Sequence, residues 1–384
     1  MSEVSNVRLF LSFLRLGATA FGGPAMMAHI KELSVKRNAW ISEERFRHGI
    51  ALCQSIPGAT VMQMAAYVGM SVRGLPGAFS SFVGFGLPAF LIMLAFSAGY
   101  ADSHRLPTIV SLFAGLQVLV VAIIAHAAYL FARETIKGLR IFVLALCSSA
   151  LLLAGLNPFL VVIIAAACGI IAFRDIHAVP LAPHSSGNAK LLSGSSLLLM
   201  LSVCICLVIL AFAHQELFAI AMLMMKIDLF AFGGGFGSLP LMFHEIVEVR
   251  QWLDSTTFME GIALGQVTPG PIVITATFVG YLTYGFPGAL VATIAIFTPS
   301  FLILIITMPL FERLKASPYF LRSIKGVLAS FVGLLFFVLL KFGLAVHWDW
   351  RAVLLGIAAL SALRMKADIL PVVIVGGIIS ILVF

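Results

Sequence analysis

Long apolar runs, punctuated by Gly and Pro rather than by charge, organise this chain. The clearest cover residues 76–100, 107–131, 141–173, 196–213, 287–310 and 327–346, with two shorter ones, 352–363 and 369–384, closing the sequence. A membrane-crossing helix needs about 20 mostly apolar residues, and 141–173 is long enough for two spans meeting at Asn157–Pro158. Backbone groups in lipid must be satisfied within a helix or around a closed barrel. Barrel strands alternate apolar and polar positions, and these runs do not. The pattern predicts an all-α polytopic membrane protein.

Between the long runs lie short ones that stop abruptly. Residues 9–20 amount to about 18 Å of helix at ~1.5 Å per residue, roughly half of a hydrocarbon core, and they end at Phe21-Gly22-Gly23-Pro24. Residues 46–56 stop at Pro57-Gly58, and 59–72 is short again. A second set repeats the first: 217–232 stops at Gly233-Gly234-Gly235, and 258–268 at Pro269-Gly270-Pro271.

The two sets are in register. Phe21-Gly22-Gly23 lies over Phe232-Gly233-Gly234 at an offset of 211, which places Arg15 on Lys226. One inserted residue makes the offset 212, and then Trp40 meets Trp252, Phe46 meets Phe258, Gln54 meets Gln266, and Pro57-Gly58 meets Pro269-Gly270. After one deletion restores 211, Gly74 meets Gly285, Pro76 meets Pro287 and Pro88 meets Pro299. Chance matches between apolar segments would fall on Leu and Ala, not on Gly, Pro, Trp and Gln in series. We read two homologous halves, residues 1–173 and 196–384, joined by a polar linker over 174–195. Short helices broken at matching places in two halves are a sequence pointer to a transporter's binding site.

Charge orients the chain. Lys and Arg gather in cytoplasmic loops. With the N-terminus inside and the broken segments returning to their own side, Arg8, the five basic residues of 31–47, Arg73, the 133–140 loop, Arg174, Lys190, the 313–325 loop, Arg364 and Lys366 all lie inside. Only Arg105, Arg250 and Arg351 then lie outside. The single extra span 196–213 leads the second half, ahead of its copy of the repeat, so the copies run in opposite senses: two inverted-topology homologous halves with broken or re-entrant helices.

Composition narrows the function. Hydrophobic residues make up 61% of 384 positions and charged residues 10%, against roughly 25% charged in soluble domains. The net charge of +8 is what cytoplasmic loops produce and calls for no nucleic acid. The first residues lack the cleavage pattern of a removed signal peptide. The five cysteines sit in apolar runs without disulfide or zinc spacing and are expected to be small packing residues. The Gly-rich nucleotide loop is missing, as are the metalloprotease and serine-hydrolase motifs. The expectation is therefore a transport protein, neither an enzyme nor an ATP-driven pump, with no cofactor and no metal; inverted repeats with helix ends at the midplane suit an anion channel as well as a carrier.

Three features carry a resemblance. The Phe-Gly-Gly motifs at 21–23 and 232–234, the stretch Leu264-Gly265-Gln266-Val267-Thr268-Pro269-Gly270-Pro271, and the pairs Trp40/Phe46 and Trp252/Phe258 are together similar to the chromate ion transporter family, over nearly the whole chain. The resemblance implies a long-chain, two-domain protein of the inner membrane that exports chromate from the cytoplasm, with sulfate as the related oxyanion. Membrane potential or proton motive force would drive it. An anion channel, or a carrier for another oxyanion such as sulfate, is the alternative. The partners are then a tetrahedral oxyanion and the lipid bilayer; a homodimer is compatible with the sequence. One departure is visible: Pro57-Gly58-Ala59 stands where the second half has Pro269-Gly270-Pro271.

Ionisable residues inside the membrane are costly and functional by default. Arg15 and Lys226, each six residues before its Phe-Gly-Gly motif, are candidates to bind a dianion. The competing roles are snorkelling or, for Lys226, pairing with Asp228. Gln54 and Gln266 can donate hydrogen bonds to an oxyanion or cap carbonyls freed at the breaks. Helices restarting after Gly23, Gly58, Gly234 and Gly270 would aim free N–H groups and a partial positive charge at the breaks. The candidate substrate-binding set is therefore Arg15, Lys226, Gln54, Gln266, Phe21, Gly22, Gly23, Phe232, Gly233, Gly234, Pro57, Gly58, Pro269 and Gly270.

Overall fold

A computed structural model of the chain describes residues 4–21, 23–103, 107–177 and 194–384. Gly22 and most of the expected 174–195 linker lie outside the described residues. Among the described residues every regular element is helical. The first half holds α1 (Asn6–Thr19), α2 (Gly23–Lys31), α3 (Glu43–Ser55), α4 (Thr60–Ser103), α5 (Pro107–Thr135), α6 (Leu139–Leu153) and α7 (Pro158–Ala172). After α8 (Gly194–Ala213) come α9 (Gln215–Phe230), α10 (Gly235–Phe243), α11 (Ser255–Val267), α12 (Thr275–Thr307), α13 (Phe311–Ala316), α14 (Pro318–Ala345), α15 (Trp350–Arg364) and α16 (Ile369–Val383).

Among the described residues five helical stretches are long and apolar enough to cross a membrane, Thr60–Ala101, Ile109–Thr135, Ser196–Ala213, Ile272–Ala316 and Pro318–Ala345, and shorter apolar helices accompany them. Leu197, Leu198, Leu201, Val208, Ile209 and Phe212 of α8 are all exposed, as are large apolar residues on α6, α7, α15 and α16. Such a surface belongs in lipid. This is an all-α membrane protein. The cysteines are not uniformly packed inside: Cys53 is buried, whereas Cys147, Cys204 and Cys206 are exposed on the apolar surface.

The repeated punctuation becomes repeated geometry. In each half a π-helical turn, Glu32–Arg37 or His244–Val249, follows the second helix. A left-handed residue comes next, Ala39 (φ 47°) or Gln251 (φ 51°). Ser42 and Asp254 then cap α3 and α11 by accepting the N–H of Arg45 and of Thr257. This explains the Trp-to-Phe spacing, since Trp40 and Trp252 donate their N–H groups back to Ser34 and Ile246 across the turn.

Both long helices bend at a matching glycine. Gly74 (φ 63°) follows Arg73 in α4, and Gly285 (φ 58°) follows Tyr284 in α12. Beyond the bend the chain doubles back closely. A β-carbon on Gly69 would overlap the Gly77 carbonyl, one on Gly280 would overlap that of Gly288, and Ser81 donates to the Ala65 carbonyl at 2.7 Å. Small residues at such crossings let backbones touch where lipid gives no hydrophobic drive. The first arm of α4 also lies against α3, with Tyr67 Oη donating to the Arg45 carbonyl at 3.1 Å and Gly49 facing Tyr67 and Met64. Thus α3 and the first arm of α4 form a helical hairpin whose tip is Pro57–Gly58. The 13 residues of α3 extend only about 20 Å, too short to cross a ~30 Å core alone. Gly261 against Phe278 and Gly265 against Thr275 build the same hairpin in the second half, with Pro269–Gly270 at its tip.

Candidate functional site

The hairpin tips cross between halves. Gly58 N–H donates to the Ala231 carbonyl at 2.7 Å, and Gly270 N–H donates to the Ala20 carbonyl at 3.0 Å. Ala20 and Ala231 are themselves equivalent, each immediately before its Phe-Gly-Gly break. The reciprocal bonds define a pseudo-twofold centre at which each half's hairpin tip closes on the other half's broken helix. Only glycine suits the tips, where φ is 115° at Gly58 and 113° at Gly270.

Helix starts meet at this centre. A β-carbon on Gly234 would lie 3.6 Å from Thr60 Oγ1, so the first turns of α10 and α4 converge across the halves. The opening N–H groups of an α-helix have no partner within it. Among the described residues those of Thr60, Val61, Gly235 and Phe236 meet no acceptor outside their helices. Gly233 (φ 80°) and Gly234 (φ 84°) permit the sharp turn into α10. The twofold counterpart is poorer in donors, because Pro24 stands opposite Gly235 and Pro271 opposite Ala59, and proline has no N–H.

A second asymmetry reinforces the first. Asp228, in the last turn of α9, is fully buried. It accepts the Ser300 N–H at 2.7 Å and the Ser300 hydroxyl at 2.7 and 2.9 Å. Ser300 Oγ in turn accepts the Ala59 N–H at 2.8 Å, tying α9, α12 and the start of α4 together. Gln63, also fully buried, donates to the Pro57 carbonyl at 2.6 Å, while its Oε1 has no donor among the described residues. The counterparts of Asp228 and Ser300 are Gly17 and Ala89. There a β-carbon on Gly17 would overlap the Phe85 carbonyl: backbone packing replaces the polar contact.

The predicted residues divide by location. Gly58 and Gly270 form the tips beside Pro57 and Pro269, and Phe21 and Phe232 flank the crossing carbonyls. Gly23 opens α2. Phe232 packs on Phe331 with ring centroids 6.3 Å apart, and Gly233 faces Phe131. Gln266 is largely buried, and its Nε2 has no acceptor among the described residues, whereas its partner in the repeat, Gln54, is exposed. Arg15 lies on the exposed stripe of α1 with Val7 and Leu11. Lys226 Nζ sits 3.9 Å above the Phe159 ring centroid and pairs at 2.5 Å with Glu245, which is 7% exposed; Asp228 takes no part in that pair.

Cations gather instead at the outer end of α3. Arg45, His48, Leu52, Tyr67, Met308 and Phe311 line a cavity of about 190 Å³. A wider one of about 650 Å³ adjoins it, bordered by Arg45, Arg47, His48, Lys315, Glu44 and Glu312. His48 Nε2 contacts Glu312 at 2.8 Å across the two halves. Nearby, Lys31 donates to Glu43 at 2.7 Å, and that hydrogen bond with its charge holds the Glu43 carboxyl below its ordinary range. The corresponding residues of α11 are Thr257, Met259 and Glu260 in place of Arg45, Arg47 and His48. Glu260 is buried and accepts from Tyr100 Oη at 2.5 Å and Gln117 Nε2 at 2.9 Å. Sequence reasoning missed Ser300, Gln63 and Glu245; the signal available was the repeat, which sets Ser300 against Ala89 just after a matched proline.

Comparison with known proteins agrees with this architecture. The family model described as chromate transporter matches twice, over residues 7–170 and 218–381, an offset of 211 at both ends. An uncharacterized transporter of Methanocaldococcus jannaschii is 41% identical, covering 99% of this chain and 94% of that protein. The chromate transport protein of Cupriavidus metallidurans is 29% identical over 85% of this chain and 80% of its own length. That of Pseudomonas aeruginosa is 27% identical over 99% and 93%. No solved structure matches the chain. The chain belongs to the chromate transporter family, and is a membrane transporter rather than an enzyme.

Proposed function

We propose that this protein carries chromate, or a tetrahedral oxyanion of the same kind such as sulfate, out of the cytoplasm through the cell membrane. The observation that carries the reading is the convergence of the α4 and α10 starts, where Gly234 reaches Thr60 across the pseudo-twofold. Backbone N–H groups and two helix dipoles offer an oxyanion several donors there without a buried side-chain cation. Family membership and the names of the relatives supply the substrate class. In this reading Lys226 is held by Glu245, and the cations around Arg45 and Arg47 gather anions at the cytoplasmic mouth. The halves insert in opposite senses, which puts their hairpins on opposite sides of one central site.

Charge supplies the drive. One elementary charge crossing the membrane is worth about 2.3 kcal/mol per 100 mV. A dianion leaving a negative interior alone gains about 4.6 kcal/mol per 100 mV, or an outward ratio on the order of a thousand. The test is flux in proteoliposomes with chromate, sulfate, molybdate and phosphate compared under potassium–valinomycin potentials. Saturable, voltage-dependent chromate flux is expected. Flux indifferent to potential removes electrogenic export, single-channel currents replace the carrier with a channel, and failure to move any of the four anions removes the oxyanion reading.

A further inference from the structure

Asp228 is the buried charge that oxyanion binding at backbone donors leaves unused. Its side chain is fully buried in the last turn of α9, one residue-pair short of the break at Ala231–Phe232. Among the described residues no Lys, Arg or His pairs with it. α7, α8, α10, α12 and the first arm of α4 carry no Lys, Arg, His, Asp or Glu against it apart from Arg73 at the far end of that arm. The basic residue of its own helix, Lys226, is already paired with Glu245. A carboxylate held away from water without a counter-ion is costly, and the equivalent position in the first half does without it, as Gly17.

The hydrogen-bond arrangement says which ligand fits. The groups facing Asp228 are the Ser300 N–H and the Ser300 hydroxyl hydrogen, the latter oriented by the Ala59 N–H that Ser300 Oγ accepts. Hydrogens, not lone pairs, surround the carboxylate, which does not suit a metal cation needing several oxygens. The cluster as a whole nevertheless has more acceptors than hydrogens, since Gln63 Oε1 is buried without a donor. A proton on Asp228 would give the cluster one more hydrogen-bond donor. The Ala59 N–H also places the carboxylate, through Ser300, at the same α4 start proposed to hold the substrate.

We infer that Asp228 is a proton-exchanging group of the transport cycle, taking a proton from water when the oxyanion binds and returning it when the oxyanion leaves. The inference rests on the oxyanion reading above. A dianion at the α4 start and an ionised Asp228 repel each other, and protonating the carboxylate removes the repulsion. By reciprocity the proton tightens the anion as much as the anion tightens the proton. The bond formed is one carboxyl O–H and the bond broken is one O–H of a hydronium ion, which leaves water; release reverses both, and no redox partner is needed. A dianion then moves with one proton and carries a single net charge, so potential drives it half as strongly as it would drive the dianion alone.

The experiment measures sulfate and chromate binding to the purified full-length protein at several pH values, with proton uptake followed by a pH indicator in weak buffer. For the wild type, uptake of about one proton per sulfate bound and affinity rising up to about tenfold per unit fall in pH are expected. Asp228→Asn keeps an acceptor for Ser300, so it should remain folded by size exclusion and thermal melting, bind sulfate with pH-independent affinity, and take up no proton. Anion binding without proton uptake in the wild type, or undiminished uptake in Asp228→Asn, overturns the inference and leaves the oxyanion reading standing. Absence of binding by either anion to the wild type overturns the oxyanion reading instead, and this inference with it. If Asp228→Asn does not fold, Ser300→Ala decides. Losing the hydroxyl that favours the ionised carboxylate should move the pH profile of sulfate affinity up by about one unit, and an unmoved profile overturns the inference.

Discussion

Replacing Gly58 by alanine tests the hairpin tip and the polar cluster together. The backbone there has φ 115°, a region that costs a non-glycine residue about 1–3 kcal/mol. The added β-carbon would overlap Ser300 Oγ and stand 2.8 Å from Gln63 Nε2. Ser300 cannot simply rotate away, because its hydroxyl and N–H are the donors to buried Asp228. Losing one hydrogen bond to a charged group costs about 1.5–3 kcal/mol, so the change should destabilise by about 2.5–6 kcal/mol in all. Gly74→Ala is the control: φ is 63° and ψ −151°, and no atom lies within 4 Å of its β-carbon, so only the cost of a backbone region favoured by glycine applies, about 1–3 kcal/mol. Thermal unfolding of purified protein and oxyanion flux in proteoliposomes separate the two. Gly58→Ala should lower the melting temperature strongly and abolish flux, while Gly74→Ala should melt slightly early and transport normally. Equal effects from both substitutions, or a wild-type Gly58→Ala, would refute the tip-to-cluster contact.

Other outcomes follow from individual contacts. Lys226→Met leaves Glu245, 7% exposed, with only Arg250 Nε at 3.8 Å; it should destabilise by about 1–3 kcal/mol, and Lys226→Met with Glu245→Met should recover most of that, as thermal melting will read. Arg45→Gln with Arg47→Gln should raise the apparent KM for oxyanion most at low ionic strength while sparing the maximal rate, checked by flux at graded salt. Cysteines placed at Asn38 and Ser255 in a cysteine-free background should react with impermeant reagent from opposite sides of the membrane, and labelling of both from one side contradicts inverted insertion.

The sequence made the breaks legible because glycine and proline act locally: a helix stops at Pro57-Gly58 wherever the rest of the chain lies. The repeat then gave the pairing of breaks, since the doubled motifs share one register. What faces what was not legible. The Gly58–Ala231 bond joins positions far apart in the chain, and no pattern along it announces such a contact. Arg15 shows the same gap. A membrane helix is apolar on its lipid face and its packed face alike, so periodicity does not say which way a lone cation points, and the structure sets Arg15 on the exposed stripe beside Leu11. Likewise Lys226 looked like a partner for Asp228 because they are two residues apart, yet residues so spaced on a helix do not face each other. The helices α2 and α10 escaped notice because they are short and hold Gly and Pro, and the π-turns after them because they mix apolar and polar positions without a clean period.

The divergence of the two halves is consistent in direction. Gly235 retains an N–H where Pro24 has none, and Ala59 retains one where Pro271 has none. Asp228 stands for Gly17, and Ser300 for Ala89. Each change adds polar function to one side of the pseudo-twofold centre and removes it from the other, while the tips Gly58 and Gly270 keep nearly identical backbone angles. Duplication alone would have produced two equal anion sites facing one another. Two dianions there would repel, and a single dianion bridging both would need donors on both sides. In the reading proposed above, one side stocked with donors and a titratable carboxylate would need only one oxyanion and one proton to occupy the centre. The other side, close-packed through Gly17 and Ala89, is left to hold the backbone crossing. The same division appears at the periphery, where Arg45, Arg47 and His48 face Thr257, Met259 and Glu260 as repeat counterparts. If transport follows the pole rather than the tips, exchanging the poles with Ala59→Pro and Pro271→Ala should abolish flux even though both hairpins retain their tip glycines. Normal flux through that exchanged protein would show that the two sides are functionally interchangeable.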